Sequence, residues 1–181
     1  MENKYHHKLR LPVKFIPKML SFDDTSHFAH LKYDVRDINK DLLNFLEDLG
    51  VHVIGAEVFG RTPYTTNPIH VDGNKLSNNV KINFVYGQGL MNWFHLRPTR
   101  KVIQKTNTVG MYHLEAEESD CEKVWSASID DNGSLVNVGI LHNLSDITTD
   151  RWCYCLLLGD IRYRNTRLQW DRAIELFKDY Y

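Results

Sequence analysis

The sequence predicts a mainly β protein, a closed or double-sheet body such as a jelly roll, with α-helices at its flanks. Short β-branched and aromatic runs separated by turn residues follow one another from Val51 to about position 158. A strong helical pattern precedes them and a second one follows. The 181 residues are enough to bury one sizeable core. One domain over 1–181 is therefore expected, made of an N-terminal extension and supporting helix (1–50), a β core (51–160) and a C-terminal helix (161–181).

Leu9 to Ile16 mixes apolar and basic residues around Pro12 and Pro17, which suits an edge strand. Ser21 to His30 is polar and predicts a loop or short helix. Asp34 to Leu49 carries Ile38, Leu42, Leu43, Phe45, Leu46 and Leu49 near helical spacing. Asp34 is the expected N-cap and Gly50 the expected C-cap.

Strands are expected at Val51–Phe59, Ile69–Asp72, Val80–Tyr86, Leu90–Leu96, Gly110–Glu117, Glu122–Ile129, Leu135–His142 and Trp152–Leu158. Asn67-Pro68, Asp72-Gly73, Asn78-Asn79, Gly87-Gln88-Gly89 and Asp130-Asp131-Asn132-Gly133 break the runs, and the last of these predicts a hairpin. Trp170, Ile174, Phe177 and Tyr181 restore helical spacing over Leu168–Tyr180.

Composition narrows the function. Apolar residues make up 43% and charged residues 25%, and the net charge is −1, so neither nucleic acid nor an anionic membrane is the expected partner. No apolar run reaches the roughly 18 residues of a membrane span. The three cysteines, Cys121, Cys153 and Cys155, form no Cys-x-x-Cys pair. With no apolar signal-like stretch in residues 1–10, a reduced, cytoplasmic setting is expected. No Ser/His/Asp pattern, P-loop or Rossmann glycine pattern is present.

The chemistry is sought first in Asn67-Pro68-Ile69-His70-Val71-Asp72-Gly73. In a strand, residues two apart share a face, so His70 and Asp72 can present an imidazole nitrogen and a carboxylate oxygen to one point. That is two thirds of a two-histidine, one-carboxylate iron site. A lone His-x-Asp is common by chance, and a third ligand must come from elsewhere. His142 ends an apolar strand just before a polar run, where the mouth of a barrel needs a ligand. His95 follows Trp93-Phe94 and suits packing or solvent as well as the mouth. His113 falls in a charged region expected on the surface, and His6-His7 are expected to be solvated. A zinc site is the rival, but the His-x-x-x-His signature and zinc-type cysteine spacing are missing.

Arg151 lies nine residues after His142. If the two strands pair across the 143–150 loop, Arg151 projects into the cavity above a wall of Cys153 and Cys155. A confined guanidinium calls for a carboxylate; a surface pair with Asp146 or Asp150 is the alternative.

His70-x-Asp72, His142 at a strand end and Arg151 nine residues on together resemble the iron(II)/2-oxoglutarate-dependent dioxygenases, over roughly residues 50–160. The segment from Leu135 to Leu144, leading into Asp150-Arg151, is similar to that family's last two core strands. Short phage and bacterial hydroxylase-like members are the nearest in kind. The resemblance implies a double-stranded β-helix, a cupin-like jelly roll. It implies that His70, Asp72 and His142 hold Fe(II) and that Arg151 binds the distal carboxylate of 2-oxoglutarate. Asn83 is a further candidate for the cosubstrate, with Lys81 on the same face a weaker rival for its carboxylate. The implied reaction consumes O₂ and 2-oxoglutarate, releases succinate and CO₂, and hydroxylates a peptidyl side chain or an amino-acid-like small molecule. The substrate mouth is expected from Arg61–Asn67, Asn74–Asn79 and Met91–His95, with Tyr64, Trp93 and His95 as candidate wall residues; ordinary rim packing explains them equally well. A non-catalytic jelly-roll sensor and a cupin-type iron enzyme without 2-oxoglutarate are the other classes.

Overall fold

The computed structural model describes residues 3–22, 27–63, 65, 67–106, 110, 112–163 and 166–181. Its strands are β1 (His6–Lys8), β2 (Phe28–Tyr33), β3 (Val51–Arg61), β4 (Ile69–Val71), β5 (Val80–Tyr86), β6 (Leu90–Leu96), β7 (Ile103–Thr106), β8 (Tyr112–Ala116), β9 (Cys121–Ser128), β10 (Ser134–Asn137), β11 (His142–Ser145) and β12 (Arg151–Asp160). The helices are α1 (Lys40–Asp48) and α2 (Trp170–Phe177). Two antiparallel sheets form, ordered β1-β10-β5-β12-β3-β2 and β7-β8-β4-β11-β6-β9.

Without the peripheral strands β1, β2, β7 and β8, the sheets read β10-β5-β12-β3 and β4-β11-β6-β9. Counted along the chain, the first of these eight pairs with the last, the second with the seventh, the third with the sixth and the fourth with the fifth. This is one long hairpin rolled over on itself, the double-stranded β-helix form of the jelly roll. The expected fold class is the observed one.

The period of two in the central strands sorts their side chains. On β12, Trp152, Tyr154, Leu156 and Leu158 join Leu42, Leu46, Ala173 and Phe177 in the core beneath the helices. Arg151, Cys153, Cys155 and Leu157 face a cavity between the sheets. Glu57, Phe59 and Arg61 of β3 and Lys81 and Asn83 of β5 face the same way. Leu42 and Leu46, one turn apart on α1, have no exposed surface. Leu46→Ala is expected to cost about 2–5 kcal/mol, read as a lower denaturant midpoint at unchanged slope.

Asp160, at the end of β12, accepts hydrogen bonds from Arg162 Nε at 3.0 Å and Nη2 at 2.7 Å. Those bonds hold its carboxyl down at about 2. A depressed carboxyl stabilises the fold above its unfolded value, near 4, and the gain fades as pH falls toward 2. Acid titration of Asp160→Asn should show a flatter loss of stability between pH 4 and 2 than the parent. The difference is modest, because Arg162 is half exposed and screened by water.

Several elements depart from expectation. Leu9–Ile16 is not a strand, since Pro12 and Pro17 lack the N–H a ladder needs. Leu9 and Phe15 still bury their side chains, and β1 takes the edge position beside β10. The expected loop at Ser21–His30 gives way at Phe28 to β2, which pairs with β3. Ile103–Thr106 forms the unexpected β7, an exposed edge strand on β8. Asp34 caps a separate 3₁₀ turn, Val35–Asp37, by accepting from Arg36 N, and α1 begins only at Lys40. Gly50, at φ +83°, turns the chain from α1 into β3 as its C-cap role requires.

The Asp130–Gly133 turn is not a hairpin, because β9 and β10 lie in different sheets. The expected strand Leu135–His142 is two strands. Between them the chain crosses to the other sheet past Gly139, where a Cβ would sit 2.3 Å from Ser77 O. His142 therefore opens β11 rather than closing β10.

Candidate metal centre and its cavity

The pairing of β4 with β11 sets His70 directly opposite His142. Asp72 follows β4 by one residue, and its N–H donates to Val138 O at 3.0 Å. Nε2 of His70 lies 3.3 Å from Asp72 Oδ1, and Nε2 of His142 lies 3.7 Å from it. One ligand atom from each of the three residues falls within 4.8 Å of the others.

The ring orientations are fixed from behind. His70 Nδ1 sits 2.9 Å from Pro68 O and His142 Nδ1 2.8 Å from Ile140 O. A carbonyl only accepts, so each Nδ1 donates to its carbonyl and each ring turns its Nε2 toward Asp72. Burial, then the neighbouring His70, pushes His142 down to about 4, so its ring is neutral at ordinary pH. Two ring nitrogens thus converge on one carboxylate oxygen, an arrangement that suits a shared cation. Ligands about 2.1 Å from one ion and at right angles lie about 3 Å apart, close to the spacing seen. His70, Asp72 and His142 fit a metal ion, and the backbone carbonyls are the outer partners that ligating histidines use.

The other oxygen of Asp72 is committed. Lys81 Nζ donates to Asp72 Oδ2 at 2.7 Å and to Glu57 Oε2 at 2.9 Å. Burial alone would raise the Asp72 carboxyl, but the Lys81 ammonium holds it well below the usual range. Burial likewise opposes ionisation of Glu57, yet contacts with His30 and Lys81 bring it down to about 2. Lys81, desolvated but flanked by two carboxylates, stays charged, held above its ordinary value. It braces a candidate metal ligand, with two of its three N–H donors engaged by Asp72 and Glu57.

These groups line a cavity of about 590 Å³ that also includes His30, Arg61, Asn83, His113, Arg151 and Arg167. Such a volume suits small-molecule sites. Arg151 is only 2% exposed, and its Nε has no partner among the described residues. The pair with Asp146 or Asp150 does not form among those residues. Arg151 enters from the sheet opposite His142, because β11 and β12 do not pair as expected. The loop bearing Gly87 makes room for it. At φ +103°, Gly87 packs where a Cβ would meet Asp150 O at 2.1 Å and Arg151 Cα at 2.9 Å. Arg61 lies directly across the ladder from Arg151. Its Nη2 donates to Asn67 Oδ1 at 2.8 Å, and the guanidinium lies over Phe28. Two guanidiniums facing one space are complementary to an anion.

Asn83 is buried on the cavity wall with its Oδ1 unpartnered. Cys153 and Cys155 form the expected soft wall, with sulfurs 3.4 Å apart and unbridged. The aromatic candidates do not converge here. Trp93 is fully buried and donates from Nε1 to Asn137 O at 3.1 Å, and His95 is exposed on the outside beside Tyr5. Tyr64 lies outside the described residues. Arg61, Asn67 and Met91 do line the cavity, but the 74–79 loop does not. His113, expected on the surface, lines the cavity 2.8 Å from Glu115 Oε1. His6 stacks on Trp93 and is not solvated as expected. Glu57, His30 and Arg167 were missed by sequence reasoning, and Arg61 was expected only as part of the mouth segment. Glu57 and Arg61 carried a signal, as polar residues at period two inside an otherwise apolar strand.

The chain is thus a jelly-roll protein with a candidate His-Asp-His metal centre opening into a basic cavity. No family model matches the sequence, and no curated protein matches it. Among solved structures it is similar to E. coli ycfD, at 10% identity and a TM-score of 0.39 over 64% of this chain and 28% of that one. It is also similar to an oxalate oxidase in complex with the substrate analogue glycolate, at 13% identity and a TM-score of 0.37 over 80% of this chain and 60% of that one. The chain spans less than two thirds of either protein's length. The fold assignment rests on the strand pairing described above. No described helix is long and apolar enough to cross a membrane.

Proposed function

We propose that this protein is a non-haem Fe(II)- and 2-oxoglutarate-dependent dioxygenase that hydroxylates an amino-acid-like small molecule or a peptidyl side chain. The observation that carries the reading is the convergence of two histidine Nε2 atoms on one oxygen of Asp72, with the buried Arg151 in the same cavity. His70, Asp72 and His142 would hold the iron through three atoms and leave other positions open. Iron and 2-oxoglutarate, when bound, supply activation of O₂ for C–H hydroxylation, with succinate and CO₂ as by-products.

The protein's own part is placement. Arg151 holds the distal carboxylate, with Arg61 across the ladder adding positive charge. Asn83 lines the wall beside the chain of the diacid. Lys81 keeps Asp72 ionised and oriented by occupying its second oxygen. Cys153, Cys155 and Leu157 form a low-polarity wall that limits water. The whole chain acts as one domain in this reading. The side-by-side free thiols suit a reducing cytoplasm.

Anaerobic titration of the Fe(II)-loaded protein with 2-oxoglutarate tests the reading. A visible charge-transfer band is expected, followed in air by succinate formation. If calorimetry detects no 2-oxoglutarate binding to the metal-loaded protein, the reading is wrong. Metal binding alone would then point to a metal enzyme or sensor that does not use the diacid.

A further inference from the structure

Arg167 lines the cavity with no role in the reading above. It follows β12 and bridges back to Gly159, near the opposite end of that strand from Arg151. Eight residues separate Arg151 from Gly159, about 26 Å of extended backbone. Lys81, which holds Asp72, pairs with Leu157 and so belongs to the Arg167 end. The two arginines thus approach the candidate metal centre from different directions.

The Nε and Nη2 atoms of Arg167 are buried and have no hydrogen-bond partner among the described residues. Asp72 and Glu57 are near enough to favour its charge, but Lys81 already takes a hydrogen bond to each. A buried guanidinium with unmet donors is costly and needs an anion. Charge balance across the cavity points the same way. Lys81, Arg151 and Arg167 face Asp72 and Glu57, while Glu115 is answered by Lys105. A divalent ion and a dianionic cosubstrate cancel one another, which leaves the cavity with surplus positive charge.

We infer that Arg167 forms a second anion subsite, which holds a carboxylate of the primary substrate at the metal centre. This inference rests on the proposed dioxygenase reading and narrows its substrate to acids. A planar carboxylate accepts two parallel N–H bonds from a guanidinium, which fixes orientation as well as position.

The test compares carboxylic acids with their amides on the full chain. Propionate, benzoate and N-acetylglycine are paired with propionamide, benzamide and N-acetylglycinamide. Each is titrated by calorimetry into protein loaded with Mn(II) and saturating 2-oxoglutarate. At least one acid is expected to bind tenfold or more tightly than its amide. Arg167→Gln should erase the preference and Arg167→Lys should retain part of it. Both should keep their 2-oxoglutarate affinity within twofold, which also reports that the cavity is intact. The inference is overturned if no acid exceeds its amide by more than twofold, or if the preference survives Arg167→Gln. It is equally overturned if Arg167→Gln loses 2-oxoglutarate binding, since the residue would then belong to the cosubstrate. Should 2-oxoglutarate fail to bind the parent, the dioxygenase reading falls. The same titrations on Arg151→Gln protein with Mn(II) alone then decide Arg167 separately, by the same acid-over-amide criterion.

Discussion

Replacing His142 with alanine is expected to lower affinity for Fe(II) or Mn(II) by at least a hundredfold. In the proposed centre His142 supplies one of three ligand atoms, and the residue is 4% exposed with Nδ1 held by Ile140 O. No other described histidine is grouped with His70 and Asp72 at ligand distance. His113 is the nearest substitute, but its ring centroid is 6.3 Å from that of His70 and its Nε2 is engaged by Glu115. The loss is also a gain of a kind. The variant removes one of the two ring nitrogens that crowd Asp72 Oδ1, so the metal-free protein should keep its fold. Calorimetry with Mn(II), beside a thermal melt of the metal-free variant, separates the two effects. A variant that binds metal normally would remove His142 from the centre.

Arg151→Gln is expected to weaken 2-oxoglutarate binding by about a hundredfold while metal affinity stays within a few fold. Hydrogen bonds to charged groups contribute about 1.5–3 kcal/mol each, and a bidentate pair loses more than one of them. The metal ligands sit in the other sheet and on the turn after β4, so truncating the guanidinium does not touch them. Glutamine keeps much of the length of the side chain and removes the charge, which limits collapse of the pocket lined by Cys153 and Leu157. The charge-transfer titration of the iron-loaded variant reads the cosubstrate, and metal calorimetry reads the centre. Equal loss of both would mean that Arg151 supports the fold and not the diacid.

Much of this site was legible as pattern. His70 and Asp72 share a face because residues two apart in an extended chain must do so, and no fold is needed to say it. The inward set of β12, Arg151, Cys153 and Cys155, follows from the same period. The helices announced themselves by apolar residues one turn apart, and Gly50 by the left-handed turn it permits. The break inside Leu135–His142 was not legible, because an apolar run looks alike whether it stays in one sheet or crosses between two. Close packing of Gly139 on Ser77, a contact across more than 60 residues, decided it. Trp93 looked like a candidate wall residue by chemistry, yet it packs fully buried in the core, where its Nε1 donates to the carbonyl of Asn137.

Local spacing thus determined the fold class, most of the core strands and the shared face of His70 and Asp72. Only the tertiary structure decided that His70 and His142 face each other and that Lys81 braces a candidate metal ligand. It also decided that Arg61 and Arg167 join Arg151 around one cavity. The physical reason is range. Faces and caps follow from neighbours within a turn or two of chain. The charge balance of a cavity is set by side chains more than a hundred residues apart, brought together by strand pairing that the local sequence does not encode.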